Sequence, residues 1–163
     1  MQRERETVKL RIPDTGTSWR RWLGNLGAWP VRGMHVLWRR EAVEWIAAIL
    51  LQRAHVRSVT LRGHSRGAAV AIYIAVLLAA QQRHIHITLR LTGLPRVFST
   101  RRWREHYARY LSTMDVDAVT ARGDPVSYLP PLWRHVPGMR WVGPRRILSA
   151  QAHHESYIRE YDH

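Results

Sequence analysis

The sequence has no cysteine, a single lysine and a single phenylalanine, and it lacks any long apolar run. Without cysteine, disulfides and thiolate metal sites are excluded, and the redox compartment is left open. The longest apolar stretch, residues 68–80, is too short to cross a bilayer. Residues 1–9 are charged and contain no apolar segment typical of a secretory signal. From the sequence we expect a protein that is cytoplasmic or released without a conventional signal.

Positive charge dominates the composition. The chain has 26 Lys and Arg against 12 Asp and Glu, a net charge of +14, and Lys9 is the only lysine. Guanidinium groups bind phosphate and carboxylate bidentately. Together with eight tryptophans, this favours an anionic membrane surface as partner, although a solvated basic surface with tryptophans in the core explains it equally well. No helix-turn-helix, RRM, KH or zinc-finger pattern is present, so we do not expect nucleic acid to be the partner.

Strand-like and helix-like segments alternate along the chain. Alternating apolar residues predict strands, and spacings of three and four predict helices; the predicted strands are 8–12, 56–61, 85–91 and 116–122, and the predicted helices are 36–54, 66–82 and 100–112. Two segments are less regular: a short broken helix at 18–33, and a further strand or a hairpin at 139–149. We predict a single domain, 1–163, with an α/β fold: a mainly parallel sheet with helices on both faces.

Ser65 lies between two glycines at a predicted strand-to-helix turn. Residues 63–67, Gly-His-Ser-Arg-Gly, match the G-x-S-x-G pattern of a nucleophile elbow. In such a turn, side chains at Gly63 and Gly67 would collide with the strand and the helix. Ser65 would stand at the helix N-terminus, where backbone amides favour negative charge. The alternative is a glycine-rich turn whose serine only caps the helix.

A serine nucleophile needs a general base, and the base needs an orienting carboxylate. Asp124 follows the fourth predicted strand and is the best-placed acid, although it also fits a simple Asp-Pro turn; Asp115 and Asp117 precede that strand. The base is expected after the acid in the chain, and the histidines there are His135, His153, His154 and His163. Of these, the adjacent pair in the late loop fits the order best. We interpret His64, next to the nucleophile, as structural.

Four segments, in order, resemble motifs of the class 3 lipases, the family of the fungal triacylglycerol lipases. Residues 63–69 resemble G-H-S-L-G-G-A, residues 92–97 resemble T-F-G-x-P-R-V, residues 123–131 resemble N-D-x-V-P-x-L-P-P, and residues 154–157 resemble H-x-x-Y. A looser match relates residues 15–26 to R-G-T followed by D-W-L-x-D-L. The resemblance covers about residues 8–158 and implies a minimal α/β-hydrolase-like fold, in a short member of bacterial or viral type.

The resemblance implies a serine hydrolase that cleaves acyl or lipid esters through an acyl-enzyme, with phospholipids among the candidate substrates. Ser65 would be the nucleophile, Asp124 the orienting acid and His154 the general base. The choice of His154 over His153 rests on the spacing of the H-x-x-Y motif. No cofactor and no metal are implied; His84 and His86 alternate on a predicted strand, but a third metal ligand is not apparent.

The oxyanion hole implied by the resemblance combines the backbone N–H of Arg66 with the N–H and hydroxyl of Thr17. The sequence departs from the family motifs at two positions near this site. Arg66 replaces the family's leucine, which would favour anionic lipids or block an acyl chain, and Thr15 replaces the arginine of R-G-T. Residues 19–29, rich in Trp and Arg, correspond to the family's lid, or else form a packing helix. The competing functions are a catalytically silent lipase-like fold used for binding or scaffolding, and a basic nucleic-acid-binding protein.

Overall fold

The fold is known from a computed structural model that describes residues 7–13, 30–52, 56–82, 84–143, 149 and 153. Several predicted features lie outside them: Thr15, Thr17, the expected lid at 19–29, and His154.

Three helices and seven strands are described. The strands are β1 (Thr7–Ile12), β2 (Pro30–Val31), β3 (Met34–His35), β4 (Ser58–His64), β5 (His86–Thr92), β6 (Asp115–Ala121) and β7 (Arg140–Val142). The helices are α1 (Val36–Gln52), α2 (Arg66–Gln81) and α3 (Arg101–Leu111), and a short 3₁₀ helix covers Pro125–Tyr128. These bounds confirm the predicted order of strands and helices from residue 36 to residue 122.

Five of the strands form a parallel sheet in the order β1-β4-β5-β6-β7. Within this sheet, the spatial order of the strands follows their order along the chain. Because crossovers between parallel strands are right-handed, successive connections then run along the same face of the sheet. Helix α2 contacts both α1 and α3, which places the three described helices side by side. The helices expected on the other face of the sheet are not among the described residues.

The sheet buries one side of each central strand. In β4, Val59 and Leu61 are fully buried, as are Leu89 and Leu91 in β5, while Arg62, next to Leu61, is exposed. The apolar face meets α2, which is buried along most of its length. This alternation confirms the α/β architecture, because burial of one face under a helix requires the period of two seen in the sequence.

One local structure differs from the sequence-based expectations, and another agrees with one of two predicted alternatives. Residues 30–33, the end of the predicted broken helix, form β2 and the turn that leads into its antiparallel partner β3. The segment at 139–149 contains β7, which pairs in parallel with β6, whereas a hairpin remained an alternative. Among the described helices, none is both long and apolar enough to cross a membrane.

Candidate functional site

The carboxyl ends of the parallel strands meet at one edge of the sheet, which is where ligand sites form in α/β folds. Strand β4 ends at His64, β5 ends at Thr92, and β6 ends at Ala121. Ser65 and Asp124 follow the first and the last of these ends. The topology therefore brings the predicted nucleophile and the predicted acid to the same edge.

Ser65 occupies a sharp turn between β4 and α2. Its backbone has φ 54° and ψ −125°, a region that residues other than glycine rarely adopt and that marks functional sites. The Ser65 N–H donates to the Thr92 carbonyl over 3.0 Å, which ties the turn to β5. The Ser65 side chain makes no capping hydrogen bond to the helix. The alternative that this serine only caps α2 is therefore wrong.

Both glycines of the turn are required by close backbone contacts. A Cβ at Gly63 would lie 2.6 Å from the carbonyl carbon of Gly67. A Cβ at Gly67 would lie 2.7 Å from the carbonyl oxygen of Ile12, at the end of β1. These distances confirm the predicted reason for the G-x-S-x-G spacing: a larger residue at either position would push the helix off the strands.

Asp124 is fully buried, and its carboxylate is held by three donors. Oδ1 accepts the backbone N–H of Val126 over 2.8 Å, while Oδ2 accepts the Thr120 hydroxyl over 3.3 Å and faces Nδ1 of His153 at 2.7 Å. The Asp124 side chain caps the 3₁₀ helix, so the Asp-Pro turn exists as well as the acid. A buried carboxylate fixed in this way can orient an imidazole.

The histidine that contacts the Asp124 carboxylate is His153. A carboxylate accepts hydrogen bonds and donates none, so Nδ1 carries the proton and Nε2 is left as an acceptor. Such a tautomer is the one a general base needs. The contact assigned from the H-x-x-Y spacing to His154 is thus made by its neighbour, and His154 itself lies outside the described residues.

Two further residues, His64 and Gly93, lie beside His153. The rings of His64 and His153 lie with centroids 4.6 Å apart, and Nδ1 of His64 is 2.9 Å from the Thr92 hydroxyl. A Cβ at Gly93 would come within 2.9 Å of Cε1 of His153. His64 thus packs against the candidate base, a contact that no local sequence pattern indicates, and its structural role stays a prediction.

The remaining described candidates have other partners. Asp115 pairs with Arg90 over 2.8 Å and Asp117 pairs with Arg140 over 2.6 Å, and the hydrogen bond from Arg90 holds the pKa of the Asp115 carboxyl below its usual range. His135 is half-buried, and its desolvation, reinforced by nearby arginines, lowers its pKa to about 4. None of these groups is among the described partners of Asp124.

Arg66 does not present a free cation beside the turn. Its guanidinium forms two contacts with the Glu41 carboxylate of α1. This pairing weakens the expected attraction of the Arg66 charge for anionic lipids, while the expected block of an acyl chain by the side chain stays a prediction. The backbone N–H of Arg66, the first residue of α2, has no intrahelical acceptor.

The comparisons agree with this architecture. A fungal lipase has the same fold, with 21% identity and a TM-score of 0.61; the match covers 91% of this chain and 59% of that one. The Rhizomucor miehei triacylglyceride lipase has 23% identity and a TM-score of 0.60, and the match covers 82% of this chain and 57% of that one. The lipase of Rhizopus microsporus var. chinensis has 19% identity and a TM-score of 0.60, and the match covers 89% of this chain and 56% of that one. The chain thus spans less than two thirds of each of these proteins. No curated protein sequence matches it.

The family model that describes the sequences of the class 3 lipases matches residues 17–133, which include β4, the Ser65 turn and Asp124. The matched stretch is more than half of the chain. Together with the parallel sheet and the α/β-hydrolase-like fold, it establishes that this chain belongs to the class 3 lipase family.

Proposed function

We propose that the chain is a serine hydrolase that cleaves the carboxylic esters of lipids. One observation carries the proposal: a serine on a strained elbow and a buried aspartate in contact with a partly buried histidine lie at the same edge of one sheet. Membership of the class 3 lipases supports acyl esters as the substrate class.

In the proposed reaction, Nε2 of His153 takes the proton of the Ser65 hydroxyl while the oxygen attacks the acyl carbon. Asp124 keeps Nδ1 protonated and stabilises the imidazolium. The carbonyl electron pair moves onto oxygen, and the tetrahedral intermediate then expels the alcohol, which takes the proton from His153. Water, activated by the same imidazole, hydrolyses the acyl-enzyme and restores Ser65. We assign the role of general base to His153 rather than to His154 because His153 contacts the Asp124 carboxylate.

The oxyanion of the intermediate needs donors aimed at it in advance. The Arg66 N–H is one candidate, since it follows the nucleophile at the start of α2. Thr17, which the family resemblance assigns as the second donor, lies outside the described residues. Loss of one such donor typically raises the barrier by about 3 kcal/mol.

A set of four variants tests the proposal on p-nitrophenyl esters from acetate to palmitate. Ser65→Ala, Asp124→Asn and His153→Gln are each expected to lower kcat by at least about 10³-fold. His154→Gln is the matched control, being the adjacent histidine, and is expected to keep kcat within about threefold of the wild type. The chain-length profile of the wild-type protein separates an esterase from a lipase.

Labelling by a fluorophosphonate gives an independent readout, because it reports an activated serine without requiring the natural substrate. Labelling that disappears in Ser65→Ala supports the enzyme. A wild-type protein that neither turns over esters nor takes the label contradicts the proposal and favours a catalytically silent lipase-like fold. Loss of activity in His154→Gln but not in His153→Gln would return the base to the histidine of the H-x-x-Y motif.

A further inference from the structure

The residue after the candidate nucleophile is joined to a helix that carries none of the proposed catalytic groups. Nη1 of Arg66 contacts Oε2 of Glu41, and Nη2 lies 3.4 Å from Oε1. The Arg66 and Glu41 side chains are only 13% and 25% exposed. This bidentate contact links the N-terminus of α2 to the sixth residue of α1.

The pair depends on both members. The Nε atom of Arg66 is buried without a hydrogen-bond partner among the described residues, so Glu41 supplies the hydrogen bonds recorded for this guanidinium. Removal of one partner of a largely buried ion pair leaves an uncompensated charge, which costs far more than the pair contributes. A cation at a helix N-terminus is also unfavourable because it faces the positive end of the helix dipole. Glu41 offsets both effects.

We infer that Glu41 is a positioning residue for the proposed reaction: by pairing with Arg66 it fixes the first residue of α2 and so the backbone N–H next to Ser65. The inference rests on the proposed function, since that N–H is assigned to the oxyanion. Because an amide donor must meet the oxyanion at 2.7–3.1 Å, a displacement of about 1 Å at this residue is enough to lower the rate about 10²-fold. With Glu41 absent, we expect the unpaired guanidinium to turn toward water and to release its hold on the first residue of α2.

The experiment compares Glu41→Gln with Glu44→Gln on the same helix. Glu44 pairs with Arg40, but those side chains are 65% and 78% exposed, so that pair contributes little. With p-nitrophenyl butyrate, Glu41→Gln is expected to lower kcat by about 10- to 100-fold while KM changes less than about threefold. Glu44→Gln is expected to stay within about twofold of the wild type in both constants.

A double-mutant cycle with Arg66→Leu separates positioning from general destabilisation. Once the guanidinium is gone, Glu41→Gln is expected to change kcat by less than about threefold relative to Arg66→Leu alone. Glu41→Asp, which keeps the charge but shortens its reach, is the second variant if Glu41→Gln does not fold, and it too is expected to lower kcat. Thermal unfolding of every variant is measured alongside.

The outcomes distinguish this inference from the proposed function. A wild-type protein that turns over esters, together with a Glu41→Gln or Glu41→Asp variant of undiminished kcat, overturns the inference alone. An equal loss of kcat with and without Arg66 also overturns it, because Glu41 would then act through some other contact. If the wild-type protein shows neither turnover nor fluorophosphonate labelling, the proposed function fails, and the positioning role fails with it.

Discussion

Gly93 is the residue that leaves room for the candidate base. It has φ +55°, and a Cβ there would lie 2.7 Å from Cε1 of His64 and 2.9 Å from Cε1 of His153. Both the left-handed backbone and the two imidazole rings therefore exclude a side chain. Glycine is required here by its backbone conformation and by its lack of a Cβ.

Replacement of this glycine is predicted to damage activity more than stability alone explains. Gly138→Ala is the matched control, since Gly138 has φ +76° with nothing within 4 Å of its Cβ. We expect Gly138→Ala to cost about 1 kcal/mol of unfolding free energy and no activity. Gly93→Ala is expected to cost more and to lower kcat by about 10²-fold, because His153 must move. Denaturant unfolding and ester hydrolysis check this; equal effects of the two substitutions would contradict it.

Chemistry at single residues was predictable where local geometry dictates it. The glycines at 63 and 67 and the position of Asp124 after a strand follow from the chain itself. The choice between His153 and His154 does not, because the spacing of a four-residue motif cannot show which of two adjacent histidines contacts a carboxylate 29 residues earlier. Likewise, no local pattern shows that Arg66 faces Glu41, 25 residues earlier. Contacts between distant segments must be seen in the structure.

At the scale of elements, one hydroxyl joins three segments around α2. Tyr73, fully buried in that helix, donates to the Val97 carbonyl and accepts the His35 N–H over 3.0 Å. Burial raises the pKa of this phenol, so it remains neutral. The contact ties α2 both to β3 and to the segment that follows β5.

Tyr73→Phe is predicted to lower the free energy of unfolding by about 1–3 kcal/mol, because a buried N–H and a buried carbonyl lose their partner. Tyr110→Phe is the control, since the structure records no hydrogen bond from the hydroxyl of that half-buried tyrosine to another described residue. It is expected to change stability by less than about 0.5 kcal/mol. Urea denaturation of both variants decides the matter, and similar losses would show that packing, not the hydroxyl, dominates.

Elements with a regular hydrophobic period were predictable, and those held by distant contacts were not. Strands β4 and β5 and helix α2 appear in the sequence as clean alternation or apolar helical runs. The pair β2–β3 consists of two residues on each side, too few to show a period. It is fixed by remote partners: the Tyr107 hydroxyl donates to the Arg32 carbonyl and the Ser99 N–H donates to the Gly33 carbonyl.

At the scale of the whole molecule, the carboxylates that the structure describes are all paired with basic groups. Each of the six described acidic side chains has a basic partner: Glu41 with Arg66, Glu44 with Arg40, Glu105 with Arg101, Asp115 with Arg90, Asp117 with Arg140, and Asp124 with His153. The full chain carries 26 Lys and Arg against 12 Asp and Glu, so basic side chains remain in excess, with a net charge of +14. Arg11, Arg62 and Arg90 occupy one cross-strand row, where like charges repel, and Arg90 is also the arginine that pairs with Asp115.

This excess charge predicts electrostatic binding to anionic lipid surfaces, on which the proposed substrate would be presented. Each arginine near such a surface contributes about 1 kcal/mol, and the attraction is screened by salt. We expect co-sedimentation with phosphatidylglycerol vesicles at about 0.02 M NaCl, loss of binding at about 0.5 M, and no binding to phosphatidylcholine vesicles at either salt concentration. Ser65→Ala should bind like the wild type, because the surface charge is unchanged, and this separates attachment from turnover. Equal binding to both lipids, or binding that resists salt, would mean that apolar contacts rather than the arginines hold the protein at the surface.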